Sequence, residues 1–329
     1  MTNNYKKKLF VFGCKNTTLE FIKRIIDNNF VIDGCITISK EKALEQKVAG
    51  YFDLNKFCKN NKIPLYTVKK YNLSSAYDKE LINSLEIDII FCIGWQRLIP
   101  DWLLSKLSVG AFGMHGSNKP LPHGRGRSPL NWSLIQGKNI FYTHLFQYLP
   151  GIDDGPIVGV QKFDINQWDN CNTLHLKNTL AMTKLALKHL PKMLKGTVET
   201  YPQPLINPSY FPKRSAEDGI IFWSDSVIDI YNLIRAVTKP FHGAFSFIND
   251  DETKKIVIWE AIPFDTRLDW EDKSFGEIIE IFNDNSFIVK AGDGSMLIKN
   301  YEFANNSAIA TGMKLGNSSF NPKNWILPR

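Results

Sequence analysis

Five short apolar runs punctuate the opening third of the chain, each separated from the next by a stretch without strand-like alternation. Leu9–Gly13, Phe30–Thr37, Pro64–Thr67, Asp88–Ile93 and Val109–His115 have the length and the β-branched or aromatic content of strands. Between them, Thr18–Asn28, Asp53–Asn61 and Ser74–Leu85 carry apolar residues at helical spacing. Strands joined by helices must run parallel, because a parallel pair needs a crossover, and parallel strands covered on both faces read as continuous apolar runs. The series therefore predicts an α/β fold, a doubly wound, Rossmann-like parallel sheet. In such sheets ligands sit in the crevice outside the carboxyl ends of the strands, and His115 ends the last strand of this series.

Two further strands, Ile140–Phe146 and Pro156–Phe163, lead to a helical pattern over Thr173–Lys195 that closes this first domain. At 329 residues the chain exceeds one ordinary core and fits two. Pro202, Pro204, Pro208 and Pro212 make Tyr201–Asp218 read as an extended linker. Beyond it a helix over Ser226–Ala236 precedes short strands separated by turn signals at Asn249-Asp250-Asp251, Asn283-Asp284-Asn285 and Gly292-Asp293-Gly294, the pattern of a small OB-like β-barrel. The expected division is a catalytic domain over 1–205, a linker over 206–220 and a barrel over 221–329.

Composition narrows the class. With 43% hydrophobic and 22% charged residues the chain reads as a globular protein able to bury a core. Met1–Lys8 is followed by no cleavable apolar segment, and no apolar run approaches the roughly 18 residues of a membrane span, so a cytoplasmic location and no membrane partner are expected. Five scattered cysteines without a CxxC pair predict buried, reduced thiols, with no disulfide framework and no metal site. The net charge of +7 favours an anionic partner, although lysines such as Lys6, Lys7 and Lys8 make a solvated face the plainer reading.

Residues with no evident packing duty concentrate between Gly110 and Ile157: His115-Gly116-Ser117, then Leu121-Pro122-His123-Gly124-Arg125-Gly126-Arg127-Ser128-Pro129, Trp132, Gly137, and Ile152-Asp153-Asp154-Gly155-Pro156-Ile157. Ser128 followed by Pro129 has the composition of a capped helix start. A histidine at a strand end with a later carboxylate is a common acid/base pair, because the carboxylate orients the imidazole and stabilises its cation.

Joined together, the run HGS…LP…RGRSPLNW…G…DDGPIV resembles the signature of the formyltransferases that use 10-formyltetrahydrofolate, a family that includes methionyl-tRNA formyltransferase and the sugar-nucleotide N-formyltransferases. Similarity extends to Leu9–Gly13, Phe91–Ile99 and the C-terminal region. Gly110-Ala111-Phe112, Arg125 through Trp132, Ile234-Arg235-Ala236-Val237, Gly243-Ala244-Phe245-Ser246 and Gly292-Asp293-Gly294 resemble most the formyltransferase domain acting on UDP-4-amino-4-deoxy-L-arabinose. The resemblance implies 10-formyltetrahydrofolate as donor, a nucleotide-linked amino sugar as acceptor and a place in surface polysaccharide synthesis, with no metal. It leaves a homodimer open.

The family's catalytic His and Asp fall on His115 and Asp153, the latter fixed by Gly155 and Ile157; Asp154 then reads as a loop residue. The family's third catalytic residue, an Asn two positions before the His, is replaced by Gly113. About two residues more than the family spacing separate Ser117 from Arg125, introducing Asn118 and Lys119; Asn118, or the His115 imidazole unaided, is the candidate to take over oxyanion binding, the plainer reading of Asn118 being a turn cap. Ile93, Gly94, Trp95, Gln96, Arg97 and Leu98 match the folate-binding loop, and Ser117, Arg125 and Arg127 are candidates for substrate binding. His123, His144, His175, His189 and His242 are read as structural. The rival functions are methionyl-tRNA formyltransferase and an inactive or regulatory relative. Against the first, Ile36–Phe52 dilutes its lysines with Glu41 and Glu45, whereas nucleic acid calls for a basic tract.

Overall fold

The computed structural model describes residues 7–48, 50–268, 270–305, 307–316 and 319–327 other than 322, 324 and 326; Met1–Lys6, part of the sequence considered for a leader, lie outside them. In chain order the elements are β1 (Leu9–Phe12), α1 (Asn16–Asp27), β2 (Gly34–Ile38), α2 (Lys40–Glu45), α3 (Asn55–Asn60), β3 (Leu65–Val68), α4 (Ala76–Asn83), β4 (Ile89–Cys92), α5 (Asp101–Leu104) and β5 (Gly110–Ser117). There follow β6 (Arg125–Gly126), α6 (Pro129–Ile135), β7 (Ile140–Gln147), β8 (Ile157–Asp164), α7 (Cys171–Leu194), β9 (Tyr210–Phe211) and α8 (Val227–Val237). The last six strands are β10 (Ala244–Ile248), β11 (Lys255–Asp265), β12 (Ile278–Ile281), β13 (Phe287–Ala291), β14 (Gly294–Phe303) and β15 (Leu315–Gly316).

These elements fall into two compact units, one built from Met1–Arg125, Tyr142–Phe163 and Lys177–Pro208, the other from Gly126–Phe141, Asp164–Leu176 and Ser209–Arg329. The first holds a seven-stranded sheet in the order β3-β2-β1-β4-β5-β7-β8. Its first five strands are parallel, as the alternation predicts, and β7 adds to β5 antiparallel. Alternation along β1 divides the core: Leu9 and Val11 pack with Phe21, Ile25, Phe91 and Leu190 on one face, while Phe10 and Phe12 pack with Ile36, Ile90, Cys92 and Trp95 on the other. Each such large side chain contributes about 1.5–3 kcal/mol on burial.

Two strand boundaries differ from the sequence reading by more than one residue. The second strand starts at Gly34, not Phe30, because Val31 is exposed and the run Phe30–Asp33 is an approach segment. The fifth does not stop at His115: β4 ends at Cys92, opposite Gly113, whereas β5 continues to Ser117 with only β7 beside it, pairing His115 with His144 and Ser117 with Tyr142. His115 thus stands beyond the end of its parallel neighbour, on the open crevice of the sheet.

The second unit contains a six-stranded sheet in the order β12-β13-β14-β11-β10-β15. An isolated antiparallel bridge between Glu277 and Lys314, with Ile278 N donating to Met313 O at 2.8 Å, joins the two outer strands and turns the sheet into the expected small barrel. Register shifts along the β11–β14 pair supply the bending. All three predicted turns lie between consecutive strands of this sheet. Ser128 does not cap α6 with its side chain: it takes a left-handed φ of 56°, and the start is set by Pro129 at the first helical position.

Among the described residues no helix is long and apolar enough to cross a membrane, no cluster of His, Cys, Asp or Glu could hold a metal, and all five cysteines are free and buried.

Candidate active site

Within the first unit, His115 and Asp153 meet. The imidazole, 8% exposed, points one nitrogen at each of two oxygens: Nε2 lies 2.7 Å from Gly124 O, and Nδ1 lies 3.4 Å from Asp153 Oδ2. A carbonyl only accepts, so the Gly124 bond requires Nε2 to carry a proton and leaves Nδ1 as the nitrogen whose protonation can change. Gly124 holds φ +71°, in the loop following the cis peptide Leu121–Pro122. The loop is tied down by His144, whose Nε2 accepts from Leu121 N at 3.2 Å while Nδ1 donates to His115 O at 3.3 Å. Burial, reinforced by neighbouring His115, lowers the His144 pKa to about 4, so it serves here as a neutral strut. Its two ring nitrogens thus tie the loop at Leu121 to the strand that carries His115.

Asp153 adopts a left-handed φ of 50°, a conformation that costs a non-glycine residue energy and persists where the surroundings fix it. Gln203 supplies that fixation: its Nε2 donates to Asp153 O at 2.7 Å and to Gly155 O at 2.9 Å, and its Oε1 accepts from Arg125 at 2.7 Å. Gly155 is required beneath this clasp, since a Cβ there would collide with Gln147 O. Asp154 folds its carboxylate over Gly151 and is exposed, which fits a loop residue. Gln203 lies in the proline-rich stretch that reads as a linker, and nothing in its spacing to Asp153 signals the contact.

The other candidates separate. Asn118 is buried (5% exposed) immediately beyond β5, and Ser117 is fully buried with Oγ accepting from Lys119 N at 3.4 Å, so Ser117 is engaged in the turn. Arg125 holds Gln203, while Arg127 is exposed and belongs to the second unit, where its backbone N donates to Phe211 O at 3.0 Å.

The 93–98 loop leaves the carboxyl end of β4. Ile93 and Trp95 turn into the core, Trp95 edge-on to Tyr71 (4.7 Å between centroids) and Phe12 (5.7 Å). Thr18 Oγ1 donates to Ile93 O at 2.6 Å, Gly94 has φ +74°, and Gln96 N donates to the Tyr71 hydroxyl at 2.9 Å. Arg97 stacks over Tyr71 and donates to Gln46, leaving Gln96 and Leu98, the latter 60% exposed, as the side chains the loop presents outward. A buried Trp95 Nε1 without a hydrogen-bond partner among the described residues adds a polar atom at the loop's base. A backbone-rich edge with an exposed leucine fits a flat heteroaromatic ligand such as a pterin.

A family model described as "Formyl transferase" matches residues 7–188, and one described as "Formyl transferase, C-terminal domain" matches 213–313. The chain belongs to the formyl transferase family. Solved structures with the same fold include a sugar 3N-formyltransferase, WlaRD, crystallised with dTDP and 5-N-formyl-THF: 20% identity, 92% of this chain and 99% of that one covered, TM-score 0.64. A second is the N-formyltransferase from Helicobacter canadensis with folinic acid and dTDP-3-aminofucose, at 20% identity, 90% and 100% coverage and TM-score 0.64. A variant of HypX from Aquifex aeolicus matches at 15% identity over 90% of this chain with TM-score 0.64; the chain spans 46% of its length. Family membership and fold agree with the sequence reading.

Proposed function

We propose that the protein transfers the formyl group of 10-formyltetrahydrofolate to the amine of a nucleotide-linked amino sugar, with His115 and Asp153 as catalytic residues. The observation that carries this reading is an imidazole fixed at one nitrogen by Gly124 O and facing a carboxylate at the other, on the crevice edge of a formyl transferase sheet. The donor, consumed in each turnover, is a second substrate, bound in this reading along the 93–98 loop. The unprotonated amine attacks the formyl carbon and the carbonyl electron pair moves to oxygen. Nδ1 of His115 takes the amine proton, and Asp153 pairs with the resulting cation. The bond from the formyl carbon to the folate nitrogen then breaks, His115 returns the proton to that nitrogen, and tetrahydrofolate leaves. Acid/base catalysis of this kind contributes about 10²- to 10⁴-fold. Asn118 remains a candidate for the developing oxyanion, and residues 1–205 are the proposed catalytic region, with 206–220 as linker to the barrel of 221–329.

An amino-sugar nucleotide is preferred over aminoacyl-tRNA because the sequence of Ile36–Phe52 contains no basic tract, and in its short α2 Lys42 is paired with Glu45. Support also comes from neighbours solved with dTDP or a dTDP-amino sugar. The test is tetrahydrofolate release with 10-formyltetrahydrofolate against a panel of nucleotide-linked amino sugars and initiator methionyl-tRNA. Turnover with a sugar nucleotide is expected. Formylation of the tRNA alone would overturn the acceptor assignment, and silence with every acceptor would favour a regulatory relative.

A further inference from the structure

Side chains alternate along β5, so residues 113 and 115 project from the same face. Position 113 is a glycine and contributes nothing there, yet the space is filled. A Cβ built on Gly113 would land within the phenol of Tyr148, overlapping its Cε1, Cζ and hydroxyl oxygen. The ladder explains how the ring arrives: Gly113 pairs with Phe146, so Tyr148, two residues on, is a diagonal neighbour on the same face. Tyr148 N donates to Ala111 O at 2.7 Å, and its ring packs against Phe146 with centroids 5.2 Å apart. The hydroxyl end thus sits where a side chain of residue 113 would begin, one strand repeat from His115, and within electrostatic reach of Asp153.

We propose that Tyr148 is a third catalytic residue, whose hydroxyl donates a hydrogen bond to the formyl oxygen as negative charge develops on it. The proposal rests on the formyl-transfer reading above and assigns to a residue of β7's extension the donor that Gly113 lacks. No proton changes owner in this step. The hydroxyl hydrogen stays on Tyr148 while the nitrogen lone pair forms the new bond and the carbonyl pair moves to oxygen; the same hydrogen bond is relaxed when the bond to the folate nitrogen breaks. Burial, with Cys92 and Asp153 nearby, raises the phenol pKa well above the ordinary tyrosine value, which keeps it a neutral donor across the working pH range. A phenol carried across the ladder into a vacant glycine position is a rigid donor, because the aromatic side chain has two torsions and both are packed.

Tyr148→Phe preserves the ring and removes only the hydroxyl. Purified wild type and variant are compared for tetrahydrofolate release from 10-formyltetrahydrofolate, with the accepted amine and, separately, with water as the acceptor, alongside thermal unfolding. The expected result is kcat about 100- to 1000-fold lower with either acceptor, KM values within about threefold and an unchanged unfolding midpoint. Gly113→Asn alone, forced against the ring, loses activity, whereas Gly113→Asn combined with Tyr148→Ala regains part of it by restoring a donor at the vacated place. Wild-type turnover retained by Tyr148→Phe overturns this proposal while leaving the formyl-transfer reading standing. A wild type that releases no tetrahydrofolate to any amine or to water overturns both.

Discussion

Replacing Gln203 with leucine tests whether the Asp153 loop is held for catalysis or merely for folding. The side chain is buried and joins three partners: the carbonyls of Asp153 and Gly155 and the guanidinium of Arg125. Two neutral hydrogen bonds at about 1 kcal/mol each and one to a charged donor at about 1.5–3 kcal/mol give an upper figure of about 3.5–5 kcal/mol. The loop also stores the cost of the left-handed Asp153, on the order of 1 kcal/mol, which the clasp now offsets and the variant would release by letting residue 153 relax. Leucine matches the shape and cannot restore the bonds. Relaxation of φ by a few tens of degrees moves the carboxylate away from Nδ1, so kcat should drop about 10- to 100-fold, beyond any shift in KM, while urea unfolding reports the stability loss. A double-mutant cycle with Arg125→Leu should return a coupling of at least about 1 kcal/mol. A Gln203→Leu enzyme with wild-type kcat and a stability loss near the calculated figure would show that the clasp serves folding alone, and the positioning argument would fail.

His115→Ala and Asp153→Asn should each abolish turnover while leaving the unfolding transition intact; full activity in either refutes the pair. Asn118→Ala separates the two oxyanion candidates, and undiminished turnover would remove Asn118 from the site. Gly155→Ala should destabilise by more than about 2 kcal/mol in denaturant titration, because its Cβ meets backbone at Gln147, which cannot swing aside as a side chain would. His144 predicts an acid dependence of stability. Its folded pKa of about 4 lies below the unfolded value near 6.5, so as pH falls the unfolded chain binds the proton first, and stability present above pH 6.5 is lost between about 6.5 and 4. At pH 5 that loss is about 2 kcal/mol, and His144→Gln should flatten this part of the profile; an unchanged slope would refute the assignment.

How much of this was legible in the sequence depended on how a residue earns its place. β1 and β4 announce themselves because they are buried on both faces, so every residue is apolar and pairing rules do the rest. The short helices α2 and α5 did not, since Lys40–Glu45 and Asp101–Leu104 offer too few turns for periodicity. His115 and Asp153 were singled out because the dense run of otherwise unexplained residues around them resembles a family signature, and the fold brings the two side chains within 3.4 Å. Gln203 and Tyr148 were not: one is a lone polar residue among prolines and the other an aromatic just past a strand, and each acquires its meaning only through a partner 50 or 35 positions away. The signal that pointed toward Tyr148 was negative, a glycine where a side chain was expected. Ser128 carried a helix-cap composition that the backbone does not use, because its left-handed φ turns the chain into α6 directly.

The bridge between Glu277 and Lys314 has a bearing on assembly. An open six-stranded sheet would offer two rows of unspent amide and carbonyl groups, a template on which another copy could add its own strand. Here the starts of the outermost strands bond to each other, with Ile278 N on Met313 O and Leu315 N on Gly276 O, both at 2.8 Å. Over this stretch, another copy could add its strand only by displacing a partner the sheet already supplies from within.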